Sequence, residues 1–281
     1  DQMNPSQSAE KVWFITGASR GFGRVWAIAA LERGDKVAVS ARDISSLQPL
    51  VAKYAGAVLP LRLDVTDREA VLQAVTTVNE HFGRIDIVLS NAGYGHQGAV
   101  EEISEAEARA QMDTNFFGTM WLAQASMQIF RAQGFGHLLA VSSVLGVFSA
   151  PTFGVYSASK FAVEGLFEAL SQEAGFFGAS VTLIEPPGYA TDFNNASSAK
   201  YSDAIAAYQP VRDALSQAFE GYAFGDPEAT ANALLKVVDS SQPPLRIALG
   251  AGAVEQLTGA YQSRLATWND WREVSAAARG W

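Results

Sequence analysis

The stretch Val12-Trp13-Phe14-Ile15-Thr16-Gly17-Ala18-Ser19-Arg20-Gly21-Phe22-Gly23 decides the fold of this chain. It opens as a short apolar run over residues 12–16, turns through three glycines, and enters a helical pattern over residues 22–33. Gly34 closes that pattern as a C′ glycine would. Glycines between a strand and a helix permit a tight turn and let the backbone approach a pyrophosphate. They also bring the helix close against the strand. The helix N-terminus then offers unpaired N–H groups and the positive end of its dipole. A glycine cluster alone is weak evidence, because many loops contain several. Its place between the first strand and first helix of a βαβ unit gives it weight.

The same rhythm continues downstream. Apolar runs at 36–40, 57–61, 85–89, 137–142 and 180–185 read as strands, most of them bounded by Gly, Pro, Asp or Asn. Helical patterns over 45–54, 68–82, 104–133 and 156–176 lie between them. Asp67 and Ser104 stand at N-cap positions, and Glu107 gives Ser104 a capping-box spacing. Repeated strand–helix–strand units predict a single α/β domain over residues 11–281, a Rossmann-type doubly wound parallel sheet with helices on both faces. After Glu185 the rhythm changes. Residues 188–224 show no strand and carry Tyr189, Phe193, Tyr201, Tyr208, Phe219, Tyr222 and Phe224. This segment reads as a C-terminal substrate lid or as an extra helix pair packed on the core, two compatible readings. A helix over 226–239, a last strand over 245–249 and a closing helix over 253–271 complete the chain.

Composition narrows the function. The 281 residues are 48% hydrophobic and 17% charged, a mix that suits a large core and argues against a disordered chain. A net charge of −9 without a Lys/Arg cluster argues against nucleic acid or an anionic membrane as partner. With no cysteine, disulfides and thiolate chemistry are excluded, and the three histidines (81, 96 and 137) are too scattered to suggest a metal. No apolar run approaches the roughly 20 residues that span a bilayer. Residues 1–10 form a polar tail without the features of a signal peptide, and Met3 is the expected natural start. A cytoplasmic protein is the default expectation.

Three residues separate Gly17 from Gly21 and one separates Gly21 from Gly23, a spacing different from the G-x-G-x-x-G fingerprint. Thr16-Gly17-x-x-x-Gly21-x-Gly23 resembles the classical short-chain dehydrogenase/reductase family. Asn91-Ala92-Gly93, Asn115, Ser143, Tyr156, Lys160, Pro187-Gly188 and Thr191 repeat the match in the family's order, over about residues 11–250. The C-terminal third, with Gly225-Asp226-Pro227-Glu228-Ala229 and Leu245-Arg246-Ile247, looks like the hydroxysteroid and retinol dehydrogenase branch. The resemblance implies a nicotinamide cofactor held by Gly17, Ser19, Arg20, Gly21, Phe22 and Gly23. It adds Asp64 and Val65, then Asn91, Ala92 and Gly93, then Tyr156 and Lys160, and finally Pro187, Gly188 and Thr191. Ala41 stands where the family's NAD-binders carry an acid, and Arg42 follows it. With Arg20 in the glycine turn, two guanidiniums could grip a 2′-phosphate, which favours NADP(H) over NAD(H). Asp64 resembles the residue that touches adenine, and on its own it also suits a helix cap near Asp67.

Tyr156 and Lys160 are four apart on a predicted helix and share one face. A tyrosine pKa near 10 lies roughly three units above neutral, so proton shuttling needs help. A lysine ammonium one turn away favours the phenolate. Ser143 ends a strand thirteen residues before Tyr156, where open α/β sheets place their crevice. That spacing favours Ser143 over Ser142. By resemblance, Asn115 holds a water linking Lys160 to solvent; from the residues alone it could equally face solvent. The implied reaction is hydride transfer between the cofactor and a ketone or aldehyde, giving a secondary or primary alcohol. Tyr94, Leu145, Phe148, Phe153 and Tyr189 occupy pocket positions in the family, and their apolar character suits a bulky hydrophobic carbonyl substrate. His96 and Gln97 face either the crevice or a surface loop. Ser90 departs from the family's Asn-Asn-Ala-Gly, which puts strand-support contacts in doubt. A catalytically silent NADP(H)-binding sensor and a sugar-nucleotide-modifying relative are the alternatives. The helices at 104–133 and 156–176 are long enough to pair in a homodimer or homotetramer.

Overall fold

The computed structural model describes residues 10–191 and 198–279. Side chains of β1 (Val12–Ile15) alternate between two buried layers: Trp13 and Ile15 enter one, Phe14 the other. Val37 and Val39 of β2 (Lys36–Ala41) join Trp13, while Ala38 joins Phe14. Strands buried on both sides must be covered on both faces. The first face is covered by α1 (Gly21–Glu32) and α8 (Ala231–Asp239). The second lies under α3 (Arg68–Phe82), α5 (Gly118–Gln133) and α6 (Gly154–Gly175).

β3 (Val58–Arg62), β4 (Ile87–Ser90), β6 (Gly136–Val141), β7 (Ala179–Glu185) and β9 (Arg246–Ala248) complete a parallel seven-stranded sheet, in the order β3-β2-β1-β4-β6-β7-β9. The order reverses between β1 and β4, so a crevice opens beyond their C-terminal ends. A second, two-stranded sheet pairs β5 (Gly95–Gln97) with β8 (Ala199–Tyr201). The remaining helices are α2 (Gln48–Tyr54), α4 (Glu105–Met112), α7 (Gln209–Phe219), α9 (Ala253–Asp270) and α10 (Arg272–Ala277).

The expected caps are in place. Asp67 accepts from Ala70 N at 3.1 Å, and Ser104 and Glu107 close a reciprocal capping box on α4. Gly34 follows α1 with φ +98°. The two fully buried indoles are satisfied: Trp13 Nε1 donates to Asp35 at 2.8 Å and Trp26 Nε1 to Thr230 at 2.7 Å.

Two expectations need correction. The single helix over 104–133 is α4 and α5 joined by a π turn, Asp113–Phe117. Its wider turn directs Asn115 inward, 1% exposed, rather than toward solvent. The apolar pattern runs on through this turn, which hides it in the sequence. Residues 188–224 were expected to hold no strand, yet β8 lies within them. A strand of three residues carries too little alternation to be read. Phe193, with the rest of residues 192–197, and positions 1–9 of the polar tail lie outside the described residues.

Phe130 is fully buried, its ring seated over Gly136, where a Cβ would collide with it. Phe130→Ala is expected to lower the unfolding free energy by about 3–5 kcal/mol, read as a fall in the urea midpoint.

Candidate active site

The glycine turn fits tightly against the end of β4. Thr16 Oγ1 accepts from Asn91 N (3.1 Å) and Ala92 N (3.3 Å), and Asn91 Nδ2 donates to the Gly17 carbonyl at 2.8 Å. Gly17 has φ +65°, and a Cβ there would lie 2.8 Å from Ala92 Cα. At Gly23 a Cβ would sit 2.5 Å from both the Gly17 carbonyl and Asn91 Nδ2. Gly21 (φ +58°) is different: its nearest neighbour would be Thr191, 3.7 Å away. The turn is closed behind and open in front.

In front lies a cavity of about 1100 Å³. One end is lined by Gly17, Ser19, Arg20, Gly21 and Phe22, with Ala41, Arg42, Asp64 and Val65 beside them. The N-terminus of α1 carries no side-chain cap, so its N–H groups remain available to this cavity. Asp64 is not the cap of α3, a role held by Asp67; it accepts from Thr66 N at 3.0 Å and Thr66 Oγ1 at 2.8 Å. Those bonds hold its carboxyl below the usual range, with help from the Arg42 charge. Arg42 is exposed, and Arg20 Nη2 reaches Ser198 Oγ.

At the other end of the cavity stand Ser143, Tyr156 and Lys160. Ser143 leaves the end of β6, its Oγ accepting from Leu145 N at 3.0 Å. Its hydroxyl also hydrogen-bonds the Tyr156 side chain. Lys160 Nζ donates to the Val141 carbonyl at 2.9 Å and sits 5.8 Å from the centroid of the Tyr156 ring. Burial pushes the Tyr156 phenol up to about 12, against the pull of Ser143. The sequence led to a phenol lowered by its lysine neighbour; in the structure the cost of moving a phenolate out of water is larger. Burial likewise pushes Lys160 down to about 8, opposed by the charge of Glu164.

Asn115 does not line the cavity but supports it. Its Nδ2 donates to Tyr94 O (3.0 Å) and Ser159 Oγ (3.1 Å), and its Oδ1 accepts from Tyr94 N (3.1 Å). A Cβ on Gly93 would lie 3.0 Å from Asn115 Oδ1 and 3.8 Å from Lys160 Nζ, so Gly93 separates the two by the least bulk possible. Ser90, the departure from the family pattern, bonds Thr119 at 3.0 Å, and Thr119 donates to the Asn115 carbonyl at 2.9 Å. Strand support is therefore rerouted through a hydroxyl pair.

Tyr94, Leu145, Phe148, Phe153 and Tyr189 all line the cavity, as do Asn91, Ala92, Gly93, Pro187, Gly188 and Thr191. Tyr189 is fixed in place, its hydroxyl donating to Leu249 O at 2.9 Å and its ring edge-on to Phe22. Gln97 lines the cavity too. His96 takes neither expected place: it is buried in β5 at 3% exposure, bonded to Ser202 Oγ at 2.8 Å and 3.7 Å from Glu107. The sequence missed Lys200, whose Nζ lies 4.7 Å from the Tyr94 ring centroid. It also missed the Glu102–Arg212 ion pair at 2.7 Å, which fastens α7 to the segment before α4. Both depend on long-range pairing that no local pattern announces.

A family model described as short chain dehydrogenase matches residues 11–202, and the chain belongs to that family. It is 40% identical over 272 residues to "Oxidoreductase BOA17" of Botryotinia fuckeliana, covering 95% of this chain and 99% of the relative. Retinol dehydrogenase 8 of Bos taurus is 30% identical over 254 residues, 85% of this chain and 81% of its own. Among solved structures, a short-chain dehydrogenase from Streptomyces avermitilis superposes with a TM-score of 0.90 at 36% identity, covering 98% of this chain and all of its own. This is an oxidoreductase family that binds a nicotinamide cofactor. The uncapped α1 N-terminus, the open face of Gly21 and a cavity continuous from Arg42 to Tyr156 fit such a group.

Gly17→Ala combines a left-handed backbone with contact against Ala92. It is expected to lower stability by about 1–3 kcal/mol, measured by chemical denaturation.

Proposed function

We propose that this protein is an NADP(H)-dependent carbonyl reductase of the alcohol dehydrogenase type, acting in cells mainly to reduce a bulky hydrophobic ketone or aldehyde. The observation that carries this reading is the hydrogen-bonded Ser143–Tyr156 hydroxyl pair, with buried Lys160 beside it, in the same cavity as the glycine turn. The apolar lining from Leu145, Phe148, Phe153 and Tyr189 supports a bulky substrate. The name of the bovine relative, a retinol dehydrogenase, accords with it.

A nicotinamide cofactor held by the glycine turn would supply the hydride to a carbonyl carbon in reduction, or take it from the alcohol carbon in oxidation. The two hydroxyls of Ser143 and Tyr156 hold the substrate oxygen and stabilise the negative charge that develops there. In reduction Tyr156 passes its proton to that oxygen, and in oxidation it takes the proton back. Lys160, anchored on the Val141 carbonyl, keeps an ammonium near the phenol and stabilises its anionic form. Asn115 acts as a support that fixes Tyr94 and the chain beside Gly93. Residues 188–224 act as the substrate lid, with Glu102–Arg212 as its fastening. Arg20 and Arg42 hold the 2′-phosphate, which gives the preference for NADP(H) over NAD(H). The molecule works in the cytoplasm as a homodimer or homotetramer built on α5 and α6; monomers alone in light scattering would refute that assembly.

Three outcomes test the reading. Tyr156→Phe is expected to cut turnover of NADPH with a panel of ketones by roughly 10²–10⁴-fold, while NADPH binding by fluorescence persists. No ketone turnover by the wild-type chain, despite NADPH binding, would favour a silent sensor. Arg42→Ala should raise the KM for NADPH roughly tenfold or more and leave that for NADH nearly unchanged. The pH profile of reduction should be flat near neutrality and fall above about 8, where Lys160 loses its proton.

A further inference from the structure

Behind Lys160 lies a buried cluster that the proposed reaction does not use. Glu164 follows Lys160 by one helical turn and is 6% exposed; Glu185 ends β7 and is 3% exposed. Their carboxyl groups lie within hydrogen-bonding reach of each other. Two buried carboxyl groups can lie so close without strong repulsion only if one keeps a proton, and the Oε1 atoms of both residues have no hydrogen-bond partner. Arg246 of β9 closes the cluster, 2.9 Å from Glu164 and 3.6 Å from Glu185. Its other arm reaches the more exposed Glu168. Gly146 marks how closely these groups converge on the site: a Cβ there would lie 3.2 Å from both Lys160 Cβ and Glu164 Cγ, and 2.5 Å from Ser142 Oγ.

We propose that Glu164 and Glu185 are positioning residues, a proton-sharing carboxyl pair clamped by Arg246 that forms the electrostatic seat of Lys160 and holds its ammonium charged. The proposal rests on Lys160 being the lysine of the reductase site. Among the described residues, the charged groups beside the pair are Lys160, one turn before Glu164 on α6, and Arg246 of β9, which also binds Glu168. The loop after β6 contributes only the Ser142 hydroxyl. With one proton on the pair, its single negative charge is balanced by Arg246. Burial, then the Glu164 charge, pushes the Glu185 carboxyl up to about 7. Above that pH the pair gains a second negative charge, and Lys160 holds its proton more firmly as solution becomes alkaline. The seat thereby offsets part of the cost of burying an ammonium.

The test reads Lys160 directly and needs no substrate. The protein is labelled with [ε-13C]lysine, the Lys160 signal is assigned by its loss in Lys160→Met, and NMR follows it from pH 5 to 10. In the wild type the signal should titrate near 8, with a smaller inflection near 7 as Glu185 ionises. Glu164→Gln should lower the midpoint by about half a pH unit or more. Glu185→Gln, which still donates to Glu164, should abolish the inflection near 7. Glu168→Gln, on the solvent side of Arg246, should change neither. An unshifted midpoint in Glu164→Gln overturns the seat, and a Glu185→Gln curve identical to wild type overturns the shared proton. Thermal melting against pH is the second measurement, and it decides alone if Glu164→Gln fails to fold. Glu185 keeps its proton to about 7 when folded but only to about 4.5 when unfolded, so its stabilising contribution is full below 4.5 and lost as pH rises through 7. That fall should be present in wild type and absent in Glu185→Gln; equal slopes overturn the proposal. Because neither readout involves turnover, an enzyme inactive on every ketone would refute the reductase reading while leaving this one to its own data.

Discussion

The hydrogen bond from Asn91 Nδ2 to the Gly17 carbonyl ties the end of β4 to the turn that follows β1. These are the neighbouring strands between which the sheet order reverses. Their separation is set at that point by contacts that leave no room for a Cβ on Gly17 or Gly23. The two N–H groups bound by Thr16 complete the join. The rest of the cavity inherits its position from this contact. It decides where α1 begins, hence where the uncapped N–H groups point, and where the chain beyond Asn91 leads toward Tyr94 and Lys160.

The far end of the cavity is governed by an opposite demand, because it buries groups that favour water. Tyr156, Lys160, Asn115 and Ser143 are all less than a tenth exposed. Each is satisfied by a nearby backbone or hydroxyl group: Lys160 by Val141 O, Asn115 by Tyr94, Ser143 by Leu145 N. Burial moves the phenol upward and the ammonium downward, so both groups lean toward their uncharged forms. Under the proposed reading, a neutral phenol poised beside a serine hydroxyl is the proton-loaded state that carbonyl reduction requires. The oxidative direction must create the phenolate against that bias.

Much of this was legible before any coordinates. The alternation of short apolar runs and helical patterns gave the parallel sheet because both faces of each strand are covered, which leaves continuous hydrophobic runs such as Val12–Ile15. The glycine spacing and the order of Asn91, Ser143, Tyr156 and Lys160 brought together residues that do share one cavity. What stayed hidden depends on tertiary context. The π turn at Asn115 preserves the hydrophobic pattern of a plain helix. The β5–β8 pair joins segments about a hundred residues apart through strands of three residues each. Lys200 and Arg212 reach the cavity only because that pairing, and the Glu102 contact, fold the segment back across it. His96 reads as a loop residue because its strand is too short to show.

The aromatic segment after β7 leaves and re-enters the core at one point. Ala190 N donates to Gly225 O at 2.8 Å, and Gly225 N to Gly188 O at 3.1 Å, so the two ends of the segment meet. Gly225 lies flush on the Tyr189 ring, where a Cβ would come within 2.6 Å. A segment closed at its base is, in polymer terms, a loop whose ends are already joined. Its closure entropy rises only with the logarithm of length, about 0.6 kcal/mol for each doubling. Length changes in this segment that spare β8 and Arg212 therefore cost the seven-stranded sheet little. Variation in this part of the chain falls on the wall of one cavity, away from the strands of the sheet.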